Sequence, residues 1–191
     1  MEELQPEFSN DKNALRKYFT QESIKYGFSG PISKAVLENL ISVIPKGLTV
    51  ASFRSRHDEI NLRDLQQMRP DLRYVFPVVI GSEVHFRFPL HEKAFKLGQF
   101  KIEEPEISQS EKVETSAIDI ILVPGIAFDR SGQRLGRGQG HYDRVLTSFS
   151  GLKIGIGNVA QIANFDLPTE EHDIAMDIII TNQFILKIFS S

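Results

Sequence analysis

The stretch LVPGIAFDRSGQRLGRGQGHYDRVL, residues 122–146, decides the predicted fold of this 191-residue chain. It begins inside the run IDIILV (118–123), which is apolar apart from Asp119 and ends at a Pro-Gly pair. Such a run is typical of a strand that is buried on both faces of a parallel sheet. The end of the stretch predicts a helix around residues 143–149. A strand, a glycine-rich loop and a helix in this order indicate an α/β protein.

Helices and strands are predicted to alternate on both sides of this stretch. The predicted helices cover residues 10–26, the segment after Pro31, residues 60–70 and a short C-terminal segment, and the predicted strands cover 48–53, 152–158 and 177–181. RYVFPVV and EVHFRF flank Ile80–Gly81–Ser82 and predict a β-hairpin, whereas the polar segment 91–117 predicts a surface loop. No linker divides the chain, so we expect one domain over residues 1–191. The expected architecture is a three-layer α/β sandwich with a mostly parallel, Rossmann-like central sheet plus the β-hairpin.

The bulk composition excludes several classes of protein. A net charge of -3 and a pI near 6.0 argue against a nucleic-acid partner. The chain has no cysteine, which excludes disulfides, thiolate metal sites and a cysteine nucleophile. The N-terminus is acidic and polar, unlike a signal peptide, and no apolar run is long enough for a membrane span. We therefore expect a cytoplasmic monomer with no membrane partner.

The loop after the predicted central strand has the composition of an anion-binding site. Gly136, Gly138 and Gly140 alternate, which lets backbone amides approach a ligand. Arg134 and Arg137 add charge that suits phosphate oxygens, and Asp143 suits a Mg²⁺ ion that bridges carboxylate and phosphate. The spacing matches neither the P-loop nor the dinucleotide fingerprint. A tight structural turn with solvated arginines therefore stays open as the alternative.

The whole chain resembles one family. VPGIAFDRSGQRLGRGQGHYDRVL resembles the signature of the 5-formyltetrahydrofolate cyclo-ligases, Val-Pro-Gly-x-Ala-Phe-Asp followed by Gly-x-Arg-Leu-Gly-x-Gly-x-Gly-x-Tyr-Asp. Other family elements follow the same order: KNALR (12–16), RHDEINL (56–62), KIEEPE (101–106) and LPTEEHDIAMDIIIT (167–181). Gln139, His141 and Phe53 stand where other residue types are commoner in the family.

The resemblance implies an ATP- and Mg²⁺-dependent ligase of one-carbon metabolism. Such an enzyme converts 5-formyltetrahydrofolate to 5,10-methenyltetrahydrofolate while ATP becomes ADP and phosphate. Phosphorylation of the formyl oxygen would make that oxygen a leaving group, and the folate N10 would then attack the formyl carbon. The protein has to align the formyl oxygen with the γ-phosphate and neutralise the charge between them.

The resemblance also assigns roles to individual residues. It implies ATP contacts by Lys12, Arg16, Arg134, Leu135, Gly136, Arg137, Gly138, Gln139, Gly140, His141 and Tyr142. It implies folate contacts by Phe53, Glu59, Arg137, Gly138, Gln139, Gly140 and His141, with Glu59, Arg137 and Tyr142 as the catalytic residues. Asp143 and Asp177 are the metal candidates. Without the resemblance, Lys12 and Arg16 would be solvated cations on one helix face, and Glu59 would stabilise the start of helix 60–70.

Two other functions remain compatible with an α/β chain of this kind. The first is a different enzyme on a related scaffold, such as a sugar-phosphate isomerase or a coenzyme A transferase, because similar folds host different chemistries. The second is a folate- or nucleotide-binding module without turnover. The acidic and basic residues Arg137, Asp143 and Asp177 argue against the second alternative.

Overall fold

A mixed eight-stranded sheet forms the centre of the computed structural model, which describes residues 10–81, 83–98 and 101–189. The strands found in these residues are β1 (Thr49–Ala51), β2 (Arg73–Ile80), β3 (Glu83–Pro89), β4 (Phe95–Leu97), β5 (Glu103–Pro105), β6 (Ser110–Val113), β7 (Ile120–Pro124), β8 (Ala127–Phe128), β9 (Arg134–Leu135), β10 (Leu152–Ile156), β11 (Ile178–Ile180) and β12 (Ile185–Lys187). The sheet order is β12-β11-β10-β7-β1-β2-β3-β6. The five strands from β11 to β2 are parallel, and β12, β3 and β6 are antiparallel to their neighbours.

Helices cover both faces of this sheet, as the predicted three-layer sandwich requires. The α-helices are α1 (Lys12–Tyr26), α2 (Pro31–Val43), α3 (Leu65–Met68) and α4 (His141–Leu146). Val36, Leu37 and Leu40 of α2 pack on one face of the sheet, and Leu146 of α4 packs on the other. The predicted α/β fold with a mostly parallel central sheet is thus confirmed.

Strand β7 shows why the apolar run at 118–123 becomes a central strand. Ile120 and Leu122 belong to the core that contains α2, whereas Ile121 and Val123 belong to the core that contains α4. Successive side chains of a strand point to opposite faces, so an uninterrupted apolar run serves a strand covered on both sides. All four side chains are almost completely buried.

Three predictions of local structure are wrong. The predicted helix 60–70 is reduced to α3, because the Asn61 side chain accepts a hydrogen bond from the Arg63 amide at 3.0 Å and competes with helical bonding. The segment 91–117 is not only a surface loop, since it contributes β4, β5 and the sheet edge β6. The C-terminal helix is replaced by β12, because a turn held by Thr181 Oγ1 reverses the chain into an antiparallel strand.

The predicted hairpin is confirmed as β2 and β3, although Ser82 of its turn lies outside the described residues. The small antiparallel pairs β4–β5 and β8–β9 lie outside the central sheet. The pair β8–β9 follows β7 and leads into residues 136–140, called the glycine loop below. Among the described residues, no helix has the length and apolar character needed to cross a membrane.

Helix α1 is attached to the rest of the molecule by its own small core. Asp11 caps its first turn by accepting hydrogen bonds from the amides of Asn13 and Ala14. Leu15 and Phe19 pack with residues that follow β7, including Leu135. This packing places the N-terminal half of α1 against the glycine loop.

Candidate active site

A cavity of about 310 Å³ lies at the carboxyl ends of β1 and β7, the edge where ligands bind in parallel α/β sheets. Its size and its mostly apolar wall with a few charged groups are those of a small-molecule site. The walls come from the segment after β1, the β2–β3 hairpin, β5 and the glycine loop with α4: Phe53, Arg54, Arg56, Glu59, Pro77, Val79, Val84, Ile102, Glu103, Glu104, Pro124, Gly125, Arg134 and residues 136–143.

The glycine loop has a backbone shape that depends on glycine. Gly138 has φ +86° and Gly140 has φ +65°, in the left-handed region that other residues rarely adopt. A Cβ atom on Gly138 would lie 3.4 Å from the guanidinium carbon of Arg16. The loop therefore leaves its backbone accessible and brings it close to a cation of α1.

Arg16 fastens α1 to this loop. Its Nε donates a hydrogen bond to the carbonyl of Gly136 at 2.8 Å, and its Nη1 donates to the side chain of Asn13 at 2.7 Å. Neither Lys12 nor Arg16 lines the cavity. The glycine loop consequently lies between Arg16 of α1 on one side and the cavity on the other.

Lys12 is held by two carboxylates of the segment before β11. Its Nζ donates to Asp173 Oδ2 at 2.8 Å and to Glu170 Oε1 at 2.9 Å. Burial opposes the positive charge, but the hydrogen bonds to both carboxylates outweigh it, so that the pKa of Lys12 is raised. Asp173 has a lowered pKa, because hydrogen bonds from Lys12 and from the Glu170 amide outweigh its partial burial. Asp173 was given no role from the sequence, although it lies in the family element LPTEEHDIAMDIIIT (167–181).

Arg134 and Asp143 form an ion pair at the wall of the cavity. The Nη2 of Arg134 donates to Asp143 Oδ1, and the arginine side chain is only 6% exposed. The guanidinium also lies 5.7 Å from the centre of the Tyr142 ring. Burial, followed by the charge of Glu59, raises the pKa of the Tyr142 phenol. Arg134, Tyr142 and Asp143 are thus brought together as predicted for one site.

Glu59 faces the glycine loop from the opposite wall. One carboxylate oxygen accepts a hydrogen bond from the Arg56 amide at 3.0 Å, and the other lies 3.3 Å from Arg137 Nη2. The side chain is 9% exposed, and burial raises the pKa of the carboxyl group despite the amide and Arg137. Helix α3 begins only at Leu65, so Glu59 cannot stabilise a helix start.

Asp58 is the second carboxylate that holds Arg137, although it was given no role from the sequence. Its Oδ1 lies 2.8 Å from Arg137 Nη2. Burial opposes ionisation of Asp58, but the bond and charge of Arg137, with the charges of His57 and Arg56, lower its pKa. The adjacent acidic residues Asp58 and Glu59 in the segment after β1 were the sequence signal that could have identified this second carboxylate. Arg137 therefore ties the glycine loop to the segment after β1.

The remaining predicted contacts divide into two groups. Phe53, Gln139 and His141 line the cavity, and burial lowers the pKa of His141. Leu135 does not line it, because its side chain is buried in the core with α1. Only the backbone of Leu135 can contribute to a ligand site.

Asp177 is not brought to the site. It immediately precedes β11, and its Oδ2 accepts hydrogen bonds from the Lys153 amide at 2.7 Å and the Lys153 ammonium at 2.9 Å. These atoms mark the amino ends of β10 and β11, whereas the cavity lies at the carboxyl ends of the parallel strands. The sequence did not reveal that the two residues are far from each other. Asp143 and Asp177 each lie in or next to a helix or strand, and the sequence does not show which end of the sheet each one occupies. The predicted metal pair therefore does not form, and Asp143 is the member of that pair that lines the cavity.

The donor set fits Mg²⁺ and does not fit zinc. Within the described ranges, no three His, Cys, Asp or Glu side chains form a group that could hold a metal ion. Zinc takes three or four such ligands. Magnesium needs only one or two carboxylates and takes its other oxygens from phosphates and water. A single cavity carboxylate such as Asp143 is compatible with that requirement.

Comparison with known proteins identifies the relatives of this arrangement. The model of the family described as 5-formyltetrahydrofolate cyclo-ligase matches residues 58–182. The chain is 31% identical over 142 residues to the 5-formyltetrahydrofolate cyclo-ligase of Escherichia coli K12, covering 70% of this chain and 77% of that protein. It is 34% identical over 115 residues to the enzyme of that name from Mycolicibacterium smegmatis, covering 57% and 59%.

Solved structures agree over nearly the whole chain. The NMR structure of 5,10-methenyltetrahydrofolate synthetase from Aquifex aeolicus superposes with a TM-score of 0.80 at 29% identity, covering 94% of both chains. The 5,10-methenyltetrahydrofolate synthetase from Mycoplasma pneumoniae gives a TM-score of 0.68 at 26% identity, covering 90% of this chain and 99% of that one.

Proposed function

Because the chain belongs to the 5-formyltetrahydrofolate cyclo-ligase family and converts 5-formyltetrahydrofolate to 5,10-methenyltetrahydrofolate, we propose that the glycine loop separates an ATP site from a folate site. This membership excludes the isomerase, the transferase and the binding module without turnover. ATP would lie on the side of α1, and folate would occupy the cavity. The observation that carries the proposal is the position of the loop between Arg16, bonded to the Gly136 carbonyl, and the cavity walled by Glu59.

The phosphates of ATP find cations on the α1 side of the loop. Lys12 and Arg16 lie one helical turn apart, and the loop amides at Gly138 and Gly140 add donors without side-chain obstruction. Glu170 and Asp173 fix the ammonium of Lys12. We assign Asp173 the role of positioning Lys12 for phosphate. Arg134 and Tyr142 lie where the loop meets the cavity and would act on the transferred phosphoryl group.

Asp143 would hold Mg²⁺ together with phosphate oxygens and water. Bound there, the ion would neutralise charge on the phosphates. The carboxylate is held by Arg134, which fixes the direction of the oxygen that remains for the metal. Arg134 also supplies a second positive charge at the same place.

The folate would enter the cavity with its pterin ring toward Glu59. The buried carboxylate accepts hydrogen bonds, and the pterin ring presents N–H donors. Apolar walls from Phe53, Val79 and Val84 suit the flat ring. Arg137 bridges Glu59 and the glycine loop, so that it would keep the formyl end of the substrate close to the phosphates.

The reaction follows from this juxtaposition. The formyl oxygen attacks the γ-phosphorus of ATP, the bond to the bridging oxygen breaks, and ADP leaves. The folate N10 then attacks the activated formyl carbon, and the carbon–oxygen bond breaks with release of phosphate. Loss of the N10 proton completes the methenyl bridge. The protein contributes alignment and positive charge, which are the main sources of catalysis in phosphoryl transfer.

A spectrophotometric assay tests the proposal. The methenyl product absorbs in the near ultraviolet, where the formyl substrate does not. We expect this absorption to grow when ATP, Mg²⁺ and 5-formyltetrahydrofolate are all present, with one ADP formed per product molecule. Product formation without ATP would contradict the proposed mechanism, and ADP formation without folate would contradict coupling across the loop. We also propose that a monomer is active, which light scattering at assay concentration tests.

A further inference from the structure

A second cavity of about 680 Å³ lies beside the folate cavity, and Arg54 lines both. The second cavity has aromatic walls from Tyr74, Phe88 and Phe95 and hydrogen-bond donors from Arg63 and the side-chain amides of two glutamines. It also contains Asp64 and Glu92, so its two arginines face two carboxylates. The charges that line this cavity therefore do not by themselves favour an anionic ligand. An anion would be favoured only by the particular position of Arg54.

Arg54 is a largely buried cation with incomplete compensation. Its guanidinium carbon lies 4.1 Å from the centre of the Phe95 ring and 4.8 Å from that of Phe76, and its side chain is 13% exposed. Its Nε is buried and has no hydrogen-bond partner in the described part of the chain. A buried cation without a directed acceptor is unfavourable unless a ligand provides one.

The nearest carboxylate does not complete the pairing of Arg54. Glu103 Oε2 lies 4.0 Å from Arg54 Nε, at the limit of an ion pair, and the same oxygen makes a much closer contact with Arg63. Burial and the positive charge of Arg63 lower the pKa of Arg54, and Glu103 offsets this only in part. An incoming carboxylate at Arg54 would thus leave the Glu103–Arg63 pair intact.

We propose that Arg54, which lines both cavities, is the specificity-determining residue that binds a carboxylate of the folate's glutamate tail. The inference rests on the proposed placement of the pterin ring beside Glu59. Arg54 and Glu59 flank the same segment after β1 and line the same cavity, so a ligand anchored at Glu59 extends along Arg54. Arginine binds carboxylates through two parallel hydrogen bonds. The benzoyl ring, which joins the pterin to the glutamate, would lie in the folate cavity between Glu59 and Arg54.

The test compares two substrates and two variants. One substrate is 5-formyltetrahydrofolate, and the other is its analogue with the glutamate replaced by a neutral methylamide. Arg54→Gln removes the guanidinium. Arg73→Gln is the matched control, because Arg73 also lies over a phenylalanine ring, 4.9 Å from Phe88, but lines neither cavity. Affinity is measured by calorimetry and KM by initial rates.

We expect Arg54→Gln to weaken binding of the glutamate-containing substrate by about ten- to a hundredfold, the usual effect of losing a charge-assisted hydrogen bond. Binding of the methylamide, the KM for ATP and all properties of Arg73→Gln should stay at the parent values. Equal weakening of both ligands, or of neither, would overturn the proposal, because Arg54 would then act on the pterin or only on the fold.

Two further measurements keep the outcome decisive. The parent enzyme should itself prefer the glutamate-containing ligand by about tenfold or more, and equal affinity for both ligands would contradict the proposal even if Arg54→Gln failed to fold. Arg54→Lys keeps the charge and should restore part of the preference. Absence of turnover in the parent would count against the proposed function, whereas the calorimetric affinity ratio would still decide the role of Arg54.

Discussion

Glu59 is a buried carboxylate whose ionisation matters for the proposed folate contact. Burial raises its pKa above the ordinary value of 4.5, while the Arg56 amide and Arg137 favour the charged form. Below that pKa the carboxyl group is neutral and presents a proton where an acceptor is needed. The activity should therefore decline as the pH falls through a pKa above 4.5.

We expect kcat/KM for 5-formyltetrahydrofolate to show this acidic decline in the parent and to lose it in Glu59→Gln. The variant should bind folate about ten- to a hundredfold more weakly, because it lacks a charged hydrogen-bond acceptor, and its affinity for ATP should not change. The raised pKa means that the ionised carboxyl is less favourable in the folded than in the unfolded chain. The melting temperature at pH 7 should consequently not fall. A lower melting temperature with unchanged folate affinity would make Glu59 a structural residue.

Asp143 has a structural partner as well as the proposed metal, which makes Asp143→Asn informative. Arg134 is 6% exposed and its Nε has no hydrogen-bond partner in the described residues. The substitution should cost about 1–3 kcal/mol in the free energy of unfolding, because the guanidinium loses a charged partner. Turnover should fall by about a hundredfold or more if the carboxylate orients Mg²⁺ and phosphate. Urea unfolding measures the free energy of unfolding, and rates over a range of Mg²⁺ concentrations measure the turnover.

Asp177→Asn is the matched control for Asp143→Asn, because Asp177 also pairs with a cation but lies at the amino end of β11. We expect its turnover and its dependence on Mg²⁺ to equal those of the parent. A parent-like rate in Asp143→Asn, or a lost Mg²⁺ response in Asp177→Asn, would refute the assignment of the metal to Asp143.

The glycine loop connects the two proposed substrate sites, and its shape depends on positions that only glycine fills without strain. At Gly138 the positive φ coincides with close approach to Arg16. A β-branched residue there would strain the backbone and displace the guanidinium from the Gly136 carbonyl. The same substitution at Gly81, φ +64°, strains the turn between β2 and β3 but meets no atom within 4 Å.

We expect Gly138→Val to abolish detectable binding of a non-hydrolysable ATP analogue in calorimetry, and Gly81→Val to leave it unchanged. Both variants should lose comparable stability, since each places a β-branched residue at positive φ. Circular dichroism and thermal unfolding verify that both are folded. Parent-like ATP affinity in a folded Gly138→Val protein would mean that the loop serves only as a turn.

At the scale of the whole molecule, Phe128 joins the central sheet to the loop that carries the site. Its ring is completely buried and fills the space left by glycines at the carboxyl ends of β7 and β10. A Cβ on Gly125 or on Gly155 would approach the ring to 2.6 Å. Close packing of this kind makes the position of the chain after β7 depend on one aromatic side chain.

Phe128→Ala should lower the free energy of unfolding by about 3–5 kcal/mol, the usual cost of removing a buried phenylalanine ring. Phe189→Ala serves as the control, because Phe189 is 85% exposed, and should change it by less than about 0.5 kcal/mol. Urea unfolding measures both. A small effect at Phe128 would show that the sheet and the loop are held together by other contacts.

The central strand, the glycine loop and the family can all be predicted from the sequence without the structure. The four residues before Pro124, Ile120 to Val123, include no polar position that a solvent-exposed face would require, so they predict a strand covered on both sides. The alternating glycines and the Arg, Tyr and Asp residues that follow form one local motif. Local motifs survive folding as units, which is why Arg134, Tyr142 and Asp143 were found together in the structure.

The pairing of charges that are distant in sequence follows only from the folded structure. Asp177 was predicted as a metal ligand from its place beside a strand, but strand direction puts it at the amino end, against Lys153. Asp173 pairs with Lys12 across 161 residues of sequence. Asp58, which was given no role from the sequence, is a buried partner of Arg137. Such pairs depend on the order and direction of the parallel strands, which decide whether two loops lie at the same edge of the sheet. The local spacing of residues in one sequence does not give this order.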